Sequence, residues 1–478
     1  MREPAEASKG SCRGGSSRGG KSRSKASPAR RCALETIRLR RERDGFVQDI
    51  MARTVDAAPL SPEDRAFATK LVCGVVSRKG TLDELLDSCL DSPRDVRPKV
   101  RDALLLSTYE IVFLGKSPHA AVDQGVELVR SVAPRAAGLA NAVLRKVVRA
   151  SEGFPFGDVC TDRTALARSQ GFPLWLAEKL LDDQGEEAAR GFMEASNEAP
   201  PLFVAVNAVK ASDEEVFALL TEAGAAPVAT TVDGALVAGC YRLANRRALL
   251  DERAQEALKD GKLLVADAAS QLVAASVARE AHRLRGDPVS GERLSFLEVG
   301  AGRATKTILL QSGAVRLDGV QHERHVAVDN VAFKSELLRE RAAAYGVAVS
   351  DSLIGDATEL SALVGDETFS LVFIDSPCTG LGTLRRHPEI RWRISPQNID
   401  DAAALDLRLL RSAAVQLKPS GSLAYATCTV TPEENEGVID RFLASPEGEA
   451  FSIASTMRTN LLPNTGSPDA HFLCILRR

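Results

Sequence analysis

The second half of the chain alternates short apolar runs with helical segments, and this rhythm constrains the fold more than any other feature. Four of the runs are predicted to be buried strands: LSFLEVG, HVAVD, SLVFID and SLAYATC. Strands that alternate with helices form a parallel sheet covered on both faces. Ligands of such a sheet bind beyond the carboxyl ends of its strands. We therefore predict an α/β doubly wound, Rossmann-like domain over residues 261–478, with a site where these runs end.

Three other regions precede this domain in a multidomain chain. Residues 1–27 are rich in Gly, Ser, Arg and Lys, a composition that predicts a disordered basic tail. Residues 28–150 have helical periodicity throughout, which predicts an all-α bundle. Residues 151–260 mix helical patterns with a strand that follows two prolines, which predicts a small α+β connector.

Charge and composition narrow the possible functions. The net charge of −3 argues against a uniformly basic nucleic-acid binder, although residues 1–31 contain nine basic residues and only two glutamates. No apolar run reaches the roughly 18–20 residues of a membrane helix, and the N-terminus lacks the apolar core of a secretory signal. We expect a cytoplasmic protein without a membrane partner. The nine cysteines show no CxxC pair, so neither disulfides nor a metal site is expected.

A cofactor loop follows the first predicted strand. Its sequence, LEVGAGRATKT, has the acid-x-Gly-x-Gly arrangement that lets a backbone approach a ligand closely. Asp329 ends the next strand, where a carboxylate can accept the hydroxyls of a ribose, and Asp356 follows a later run, near an expected adenine. Nicotinamide, flavin and methyl-donor cofactors all use such loops, so the pattern predicts only an adenosine-containing cofactor. The predicted binding residues are Glu298, Gly300, Ala301, Gly302, Arg303, Ala304, Thr305, Lys306, Asp329, Asp356 and Asp375.

Two cysteines lie at the ends of two other predicted strands. Cys378 follows Asp375 in the sequence DSPC, and Cys428 ends the run SLAYATC. Both thiols and the acid are expected beside the cofactor. This set suits methylation at carbon 5 of cytosine, because a thiolate that adds to carbon 6 activates carbon 5, and an acid at N3 stabilises the adduct. The pattern alone does not order the two thiols.

The segment after Cys378 is rich in arginine. Carbon 5 must be reached outside a base stack, so the chemistry implies a nucleic acid with single-stranded or splayed bases. We expect the positive side chains of this segment to contact phosphates, with the one aromatic ring among them available for stacking. The residues concerned are Arg385, Arg386, Arg391, Trp392 and Arg393.

The stretches DSPCTGLGTLRRHPEIRWR and LAYATCTVTPEENEGVI resemble the fourth and sixth motifs of RNA cytosine-5 methyltransferases, and the helical region resembles the RNA-binding factor NusB. This pairing is typical of the bacterial Sun/RsmB family of 16S ribosomal RNA methyltransferases. The resemblance implies S-adenosylmethionine as cofactor, small-subunit ribosomal RNA, unassembled or in an early precursor, as substrate, and no obligate protein partner. It also implies that Cys428 is the nucleophile and that Cys378 aids product release.

The loop of the first motif departs from the family pattern. The family usually has Ala-Pro-Gly-Gly-Lys-Thr, whereas this chain has Arg303-Ala304-Thr305-Lys306-Thr307 and keeps only the lysine and threonine. An RNA-binding assembly factor with a weakly active or inactive methyltransferase domain is therefore an alternative. A methyltransferase of a small molecule or protein would fit the sheet, but it would leave the two cysteines and the NusB-like region unexplained.

Overall fold

The computed structural model describes residues 26–43, 45–285, 294–459 and 467–478. The predicted tail lies outside these ranges except for its last two residues. Ala26 is buried against the helices that follow, and Ser27 Oγ accepts a hydrogen bond from the Arg30 backbone N–H. Within the described ranges, no helix combines the length and apolar character needed to cross a membrane.

The N-terminal part is a helical bundle, as predicted. Its core contains side chains with no exposed surface, among them Leu71, Leu104 and Leu144. Ser61 begins one helix by accepting a hydrogen bond from the Asp64 N–H, with Pro62 at the first helical position. The helices are α1 (Pro28–Arg43), α2 (Val47–Arg53), α3 (Pro62–Ser77), α4 (Lys79–Ser88), α5 (Pro98–Phe113), α6 (Pro118–Val132) and α7 (Ala137–Ser151).

The connector consists of three helices followed by a small sheet with two covering helices. The sheet is antiparallel, since β1 pairs with β3 and β4 and β3 also pairs with β2, and it has the strand order β2-β3-β1-β4. Strand β1 is buried along its whole length. The elements are α8 (Arg163–Gln170), α9 (Leu174–Gln184), α10 (Glu186–Ala195), β1 (Leu202–Val206), α11 (Asp213–Glu222), β2 (Pro227–Val232), β3 (Ala235–Leu243), α12 (Glu252–Lys259) and β4 (Leu263–Val265).

The C-terminal part is a Rossmann-like α/β domain around a seven-stranded sheet of order β10-β11-β9-β8-β5-β6-β7. Its elements are α13 (Ala268–Arg285), β5 (Ser295–Val299), α14 (Thr305–Asp318), β6 (Arg324–Asp329), α15 (Ala332–Tyr345), β7 (Asp351–Ile354), α16 (Leu360–Val364), β8 (Phe369–Asp375), α17 (Ile390–Arg393), α18 (Pro396–Val415), β9 (Leu417–Thr427), α19 (Glu436–Leu443), β10 (Ser452–Thr459) and β11 (His471–Arg477).

Five strands of this sheet are parallel: the four that the apolar runs predicted, and β7 in addition. They are β9, β8, β5, β6 and β7. The sheet differs from the prediction at one edge, where β11 and β10 are added antiparallel to β9. Separate hydrophobic clusters cover the two faces of the sheet, so the parallel strands are buried on both sides. Their carboxyl ends therefore meet at one edge, beside Asp375 and Cys428.

The helices α8–α10 share their hydrophobic core with the C-terminal domain. Leu166, Leu176 and Phe192 of these helices pack in one cluster with Leu381, Leu384 and Val430. The last three residues belong to the two segments that follow Cys378 and Cys428. The connector therefore supports the loops at the carboxyl edge of the sheet.

Candidate active site

The two cysteines meet at the carboxyl ends of two neighbouring strands. Cys378 follows β8, Cys428 follows β9 directly, and the two Sγ atoms lie 3.4 Å apart. The Cys428 backbone N–H also donates to Cys378 Sγ at 3.2 Å. Both cysteines are half-buried and neither forms a disulfide. The structure thus brings together the two thiols that the sequence placed at separate strand ends.

The two thiols have opposite electrostatic environments. The hydrogen bond from Cys378 lowers the pKa of the Cys428 thiol against the effect of burial, and the charge of Lys306 lowers that pKa further. The hydrogen bond to Cys428 raises the pKa of Cys378, and burial raises it as well. A thiolate is the reactive form of cysteine. The Cys378 thiol and Lys306 therefore favour Cys428 as the thiolate, while the Cys428 N–H acts in the opposite direction by lowering the pKa of Cys378.

Lys306 belongs to this centre, although the sequence suggested only a place in the cofactor loop. Its Nζ donates to Asp375 Oδ1 at 2.7 Å. Burial alone would lower the pKa of the ammonium, but Asp375 raises it, as do both cysteines more weakly. Asp375 is therefore the acceptor in an ion pair. A positive charge is held beside both thiols and the predicted acid.

Glu434 joins the loops that follow the two cysteines, a role that sequence reasoning missed. This buried carboxylate accepts from the Thr379 N–H at 2.7 Å and from the hydroxyls of Thr379, Thr429 and Thr431. A buried carboxylate needs several donors to offset its lost hydration. The acid and the threonines are near each other in TCTVTPEE, but nothing in that pattern indicates that they bond across two loops.

A second buried acid, Asp406 of α18, is hydrogen-bonded to the two chain segments that lead to the cysteines. Its carboxylate accepts from Ser376 Oγ and, at 2.7 Å, from the Tyr425 hydroxyl. Burial raises the pKa of Asp406 to about 7. Ser376 lies two residues before Cys378, and Tyr425 lies three residues before Cys428. Asp406 therefore fixes the approach of both chain segments to the thiol pair.

The cofactor loop turns tightly between β5 and α14. Gly300 and Gly302 have positive φ, and a Cβ at Gly300 would overlap the backbone oxygen of Asp375. The start of α14 has no side-chain cap, which leaves backbone N–H groups for a ligand. Ala301 and Ala304 are buried, Thr305 is half-buried, and the side chain of Arg303 is exposed.

The predicted ribose and adenine acids lie at neighbouring strand ends. Asp329 Oδ2 accepts from the Gly302 N–H at 3.1 Å, so this carboxylate adjoins the glycine loop. Asp356 is exposed and accepts from the Thr358 N–H, next to Ile354, which is 49% exposed and pairs with Asp329 across the strands. Uncapped N–H groups, a carboxylate and exposed apolar surface together fit the amino acid, ribose and adenine parts of S-adenosylmethionine.

Glu298, one of the predicted cofactor-binding residues, is buried within β5. Its side chain has no exposed surface, and Oε2 lies 2.9 Å from Nε2 of the buried His325. Its position inside β5 directs the carboxylate toward β6 rather than toward the cleft. The geometry supports a bracing contact beneath the loop and does not support direct contact with a cofactor.

The arginine-rich segment after Cys378 contradicts the expectation of a phosphate-binding surface. Arg391 is fully buried and donates to Ser196 O and Asn197 Oδ1, each at 3.1 Å. Arg386 forms ion pairs with Asp267 at 2.9 Å and Asp469 at 2.6 Å.

The other members of the segment also face protein. Arg385 donates to Ser467 O, Trp392 Nε1 donates to Ser77 O, and Arg393 donates to Gly45 O. Arg391, Trp392 and Arg393 thus connect the segment to other domains, whereas Arg385 and Arg386 contact distant residues of the same domain. No local pattern could reveal those acceptors.

This fold and site define a Rossmann-like methyltransferase with a helical N-terminal domain. The family model for the 16S rRNA methyltransferase RsmB/F matches residues 287–476. The NusB family model matches residues 27–149, and the ferredoxin-like domain model of RsmF/B-like methyltransferases matches residues 172–237. The order of the three matches follows the order of the domains.

Relatives match over nearly the whole chain. A probable ribosomal RNA small subunit methyltransferase B of Synechocystis sp. is 30% identical over 94% of this chain and 99% of its own length. A putative methyltransferase of Mycobacterium tuberculosis is 30% identical over 94% and 96%. The chain therefore belongs to the RsmB (Sun) family of methyltransferases, which confirms the predicted family and its cofactor, S-adenosylmethionine.

Solved structures have the same fold. The crystal structure of PH0851 covers 94% of this chain with a TM-score of 0.74 at 22% identity. That of NSun6 from Pyrococcus horikoshii covers 64% of this chain and 98% of its own, with a TM-score of 0.50 at 17% identity. At these identities the likeness concerns the fold alone.

Proposed function

We propose that the chain methylates carbon 5 of a cytosine in small-subunit ribosomal RNA, with Cys428 as the nucleophile. The placement of the thiol pair carries this proposal: the two Sγ atoms lie 3.4 Å apart beside the Lys306–Asp375 ion pair, and Cys378 and Lys306 both lower the pKa of Cys428. The substrate class is taken from the relatives that are named ribosomal RNA small subunit methyltransferase B. Unassembled or early precursor RNA stays the predicted form of that substrate.

The first chemical step is addition of the Cys428 thiolate to carbon 6 of the ring. A sulfur–carbon bond forms, the double bond between carbons 5 and 6 opens, and negative charge develops toward N3 and O2. Lys306 retains hydrogens beyond its bond to Asp375, so it can donate to this charge. Asp375, the acid predicted to stabilise the adduct, would act as a hydrogen-bonding carboxylate that accepts from the exocyclic amino group.

Methyl transfer and release complete the reaction. S-adenosylmethionine, when bound, would supply the electrophilic methyl group, and its sulfur would keep the electron pair of the broken bond as S-adenosylhomocysteine. Carbon 5 of the adduct then loses its proton to water, the electron pair of that bond re-forms the double bond between carbons 5 and 6, and the pair of the broken sulfur–carbon 6 bond returns to Cys428. We assign assistance in this release to Cys378, because its Sγ lies 3.4 Å from the sulfur that must leave.

The proposal is tested with the purified full chain, unmodified small-subunit ribosomal RNA and methyl-labelled S-adenosylmethionine. Nucleoside analysis should find the label in 5-methylcytosine, and bisulfite sequencing should place it at a defined cytosine. Label in any other nucleoside would contradict the assignment of carbon 5. Calorimetric cofactor binding without any methyl transfer would favour the assembly-factor alternative. Assembled small subunits, offered in parallel, test whether free RNA is preferred.

A further inference from the structure

The N-terminal helical unit, residues 26–151, contacts the segment that carries Cys378. We call residues 376–394 the catalytic segment. Glu389 is fully buried and accepts from the Val47 N–H at 2.6 Å. Gln48 Nε2 donates to Arg386 O at 3.1 Å, and the Phe46 and His387 rings lie 4.9 Å apart. The far end of the catalytic segment is therefore fastened to the start of α2.

Trp392 makes a second contact between the two parts, with α3 and α4. Its Nε1 donates to Ser77 O, the last residue of α3, at 2.9 Å. Its ring lies directly on Gly80 of α4, where an added Cβ would overlap the indole carbons. Gly80 is helical without positive φ, so its own backbone does not require glycine. Glycine is required at position 80 because the indole of Trp392 leaves no space for a Cβ.

The catalytic segment transmits this contact to the thiols through its backbone. Near the thiols, the Gly382 N–H donates to Cys428 O at 2.9 Å, and Gly382 O accepts from the Ala470 N–H. A Cβ at Gly382 would overlap both Ala470 O and Cys428 O, so the segment lies directly against the backbone of Cys428, and a shift of one displaces the other.

Successive turns continue from there to the indole. The N–H groups of Arg386 and His387 donate to Thr383 O, the Ile390 N–H donates to His387 O, and the Trp392 N–H donates to Glu389 O. A displaced indole therefore moves a hydrogen-bonded chain that ends on Cys428.

We propose that the helical unit positions the catalytic centre, with Trp392 as a positioning residue seated on Gly80. The inference rests on the proposed function and adds a role for the helical unit in turnover, beyond any contact with RNA. The catalytic segment is fixed at one end by Glu434 and Asp406 and at the other by α2–α4. A misplacement of reacting groups by about 1 Å can cost on the order of 100-fold in rate.

The test is Gly80→Ala in the full chain, with Gly138→Ala of α7 as the matched control. Both glycines are helical, but a Cβ at Gly138 meets nothing within 4 Å. We expect Gly80→Ala to lower kcat by about tenfold or more, while KM for RNA and Kd for S-adenosylmethionine stay within about twofold. Gly138→Ala should leave all three constants unchanged. An unchanged kcat in Gly80→Ala would overturn the proposal, as would equal losses in both variants.

A double variant separates positioning from a general loss of structure. Trp392→Leu removes the overlapping ring, so Gly80→Ala should add no further loss of kcat in that background. A loss that persists without the indole would overturn the proposal. If Gly80→Ala does not fold, Trp392→Phe replaces it, because it keeps a ring and removes only the bond to Ser77 and part of the contact. An unchanged kcat in Trp392→Phe would then overturn the proposal.

Thiol alkylation keeps the test independent of the proposed reaction. Absence of 5-methylcytosine with the unaltered chain would refute the proposed function and leave the positioning question open to this second measurement. The ratio of iodoacetamide alkylation rates at Cys428 and Cys378 should change in Gly80→Ala and stay constant in Gly138→Ala. An identical ratio in both variants would overturn the positioning role.

Discussion

Lys306 Nζ lies 2.7 Å from Asp375 Oδ1, and this ion pair joins the cofactor loop to the strand that leads to Cys378. Lys306 is the second residue of α14, and Asp375 is the last residue of β8. The pair therefore connects the predicted cofactor loop directly to the strand end beside the two thiols. Under the proposed function, the residues that would bind the methyl donor thus contact those beside the proposed nucleophile.

Replacing Lys306 with glutamine should raise the pKa of Cys428, because the positive charge that favours its thiolate is removed. At neutral pH a smaller fraction of Cys428 is then ionised, so alkylation slows, and the pH–rate curve moves to higher pH. Iodoacetamide rates at Cys428, followed by peptide mass spectrometry from pH 6 to 10, measure the shift. Lys262→Gln, whose partner is the distant surface residue Glu215, is the control. An unmoved curve would contradict the role of Lys306.

Cys428→Ala should abolish methyl transfer while S-adenosylmethionine and RNA binding stay close to those of the unaltered chain. The substitution removes the sulfur that forms the bond to carbon 6 and little other structure. Single-turnover assays with labelled cofactor measure the loss, and calorimetry measures the retained binding. Substantial turnover in this variant would refute Cys428 as the nucleophile.

Cys378→Ala should accumulate a covalent complex with RNA, since attack by Cys428 remains possible and release is slowed. The complex is visible as a slowly migrating band in a denaturing gel after incubation with RNA and cofactor. Cys428→Ala/Cys378→Ala should show no such band. If Cys378→Ala turns over normally without a trapped complex, release does not depend on Cys378.

Asp329→Ala should weaken S-adenosylmethionine binding by about 1.5–3 kcal/mol, the scale of hydrogen bonds to a charged group. Part of the loss comes from the loop itself, because Asp329 also accepts from the Gly302 N–H. Asp329→Asn keeps one acceptor and should lose less. Titration calorimetry with the cofactor alone gives both values. An unchanged affinity would move the ribose contact to another residue.

Ala304→Gly should raise the free energy of unfolding by about 1 kcal/mol, because a left-handed alanine is strained and glycine is not. Ala304 has φ +61° at the start of α14, where the family pattern has glycine. Urea unfolding of both proteins measures the difference. The control Ala142→Gly, in the middle of α7, should instead be destabilising by up to about 1 kcal/mol. A destabilised Ala304→Gly would contradict the strain.

The sequence predicted what depends on local pattern and strand order. Apolar runs located the parallel strands. Because the carboxyl ends of parallel strands meet at one edge of the sheet, the sequence also predicted that Cys378, Cys428 and Asp375 lie close together. The sequence could not predict that Arg391 and Trp392 donate to the backbone oxygens of Ser196 and Ser77, since every residue has a backbone oxygen and residue type does not distinguish these two. The positive segment suggested phosphates, whereas its acceptors are backbone oxygens and two acids that are distant in the sequence. The sequence analysis also missed the antiparallel strands β10 and β11, because the spacing of apolar residues does not indicate the direction in which two strands pair.

The core that α8–α10 share with the C-terminal domain also sets an order of events during synthesis. Leu166, Leu176 and Phe192 leave the ribosome about two hundred residues before Leu381 and Leu384, which complete their packing. Until then these helices expose apolar surface and the acceptors that later bind Arg391. The N-terminal bundle and the connector sheet each have a core of their own, but the packing of α8–α10 must wait for the C-terminal residues. A chain stalled before residue 381 would therefore expose the apolar surface of α8–α10, to which chaperones could bind.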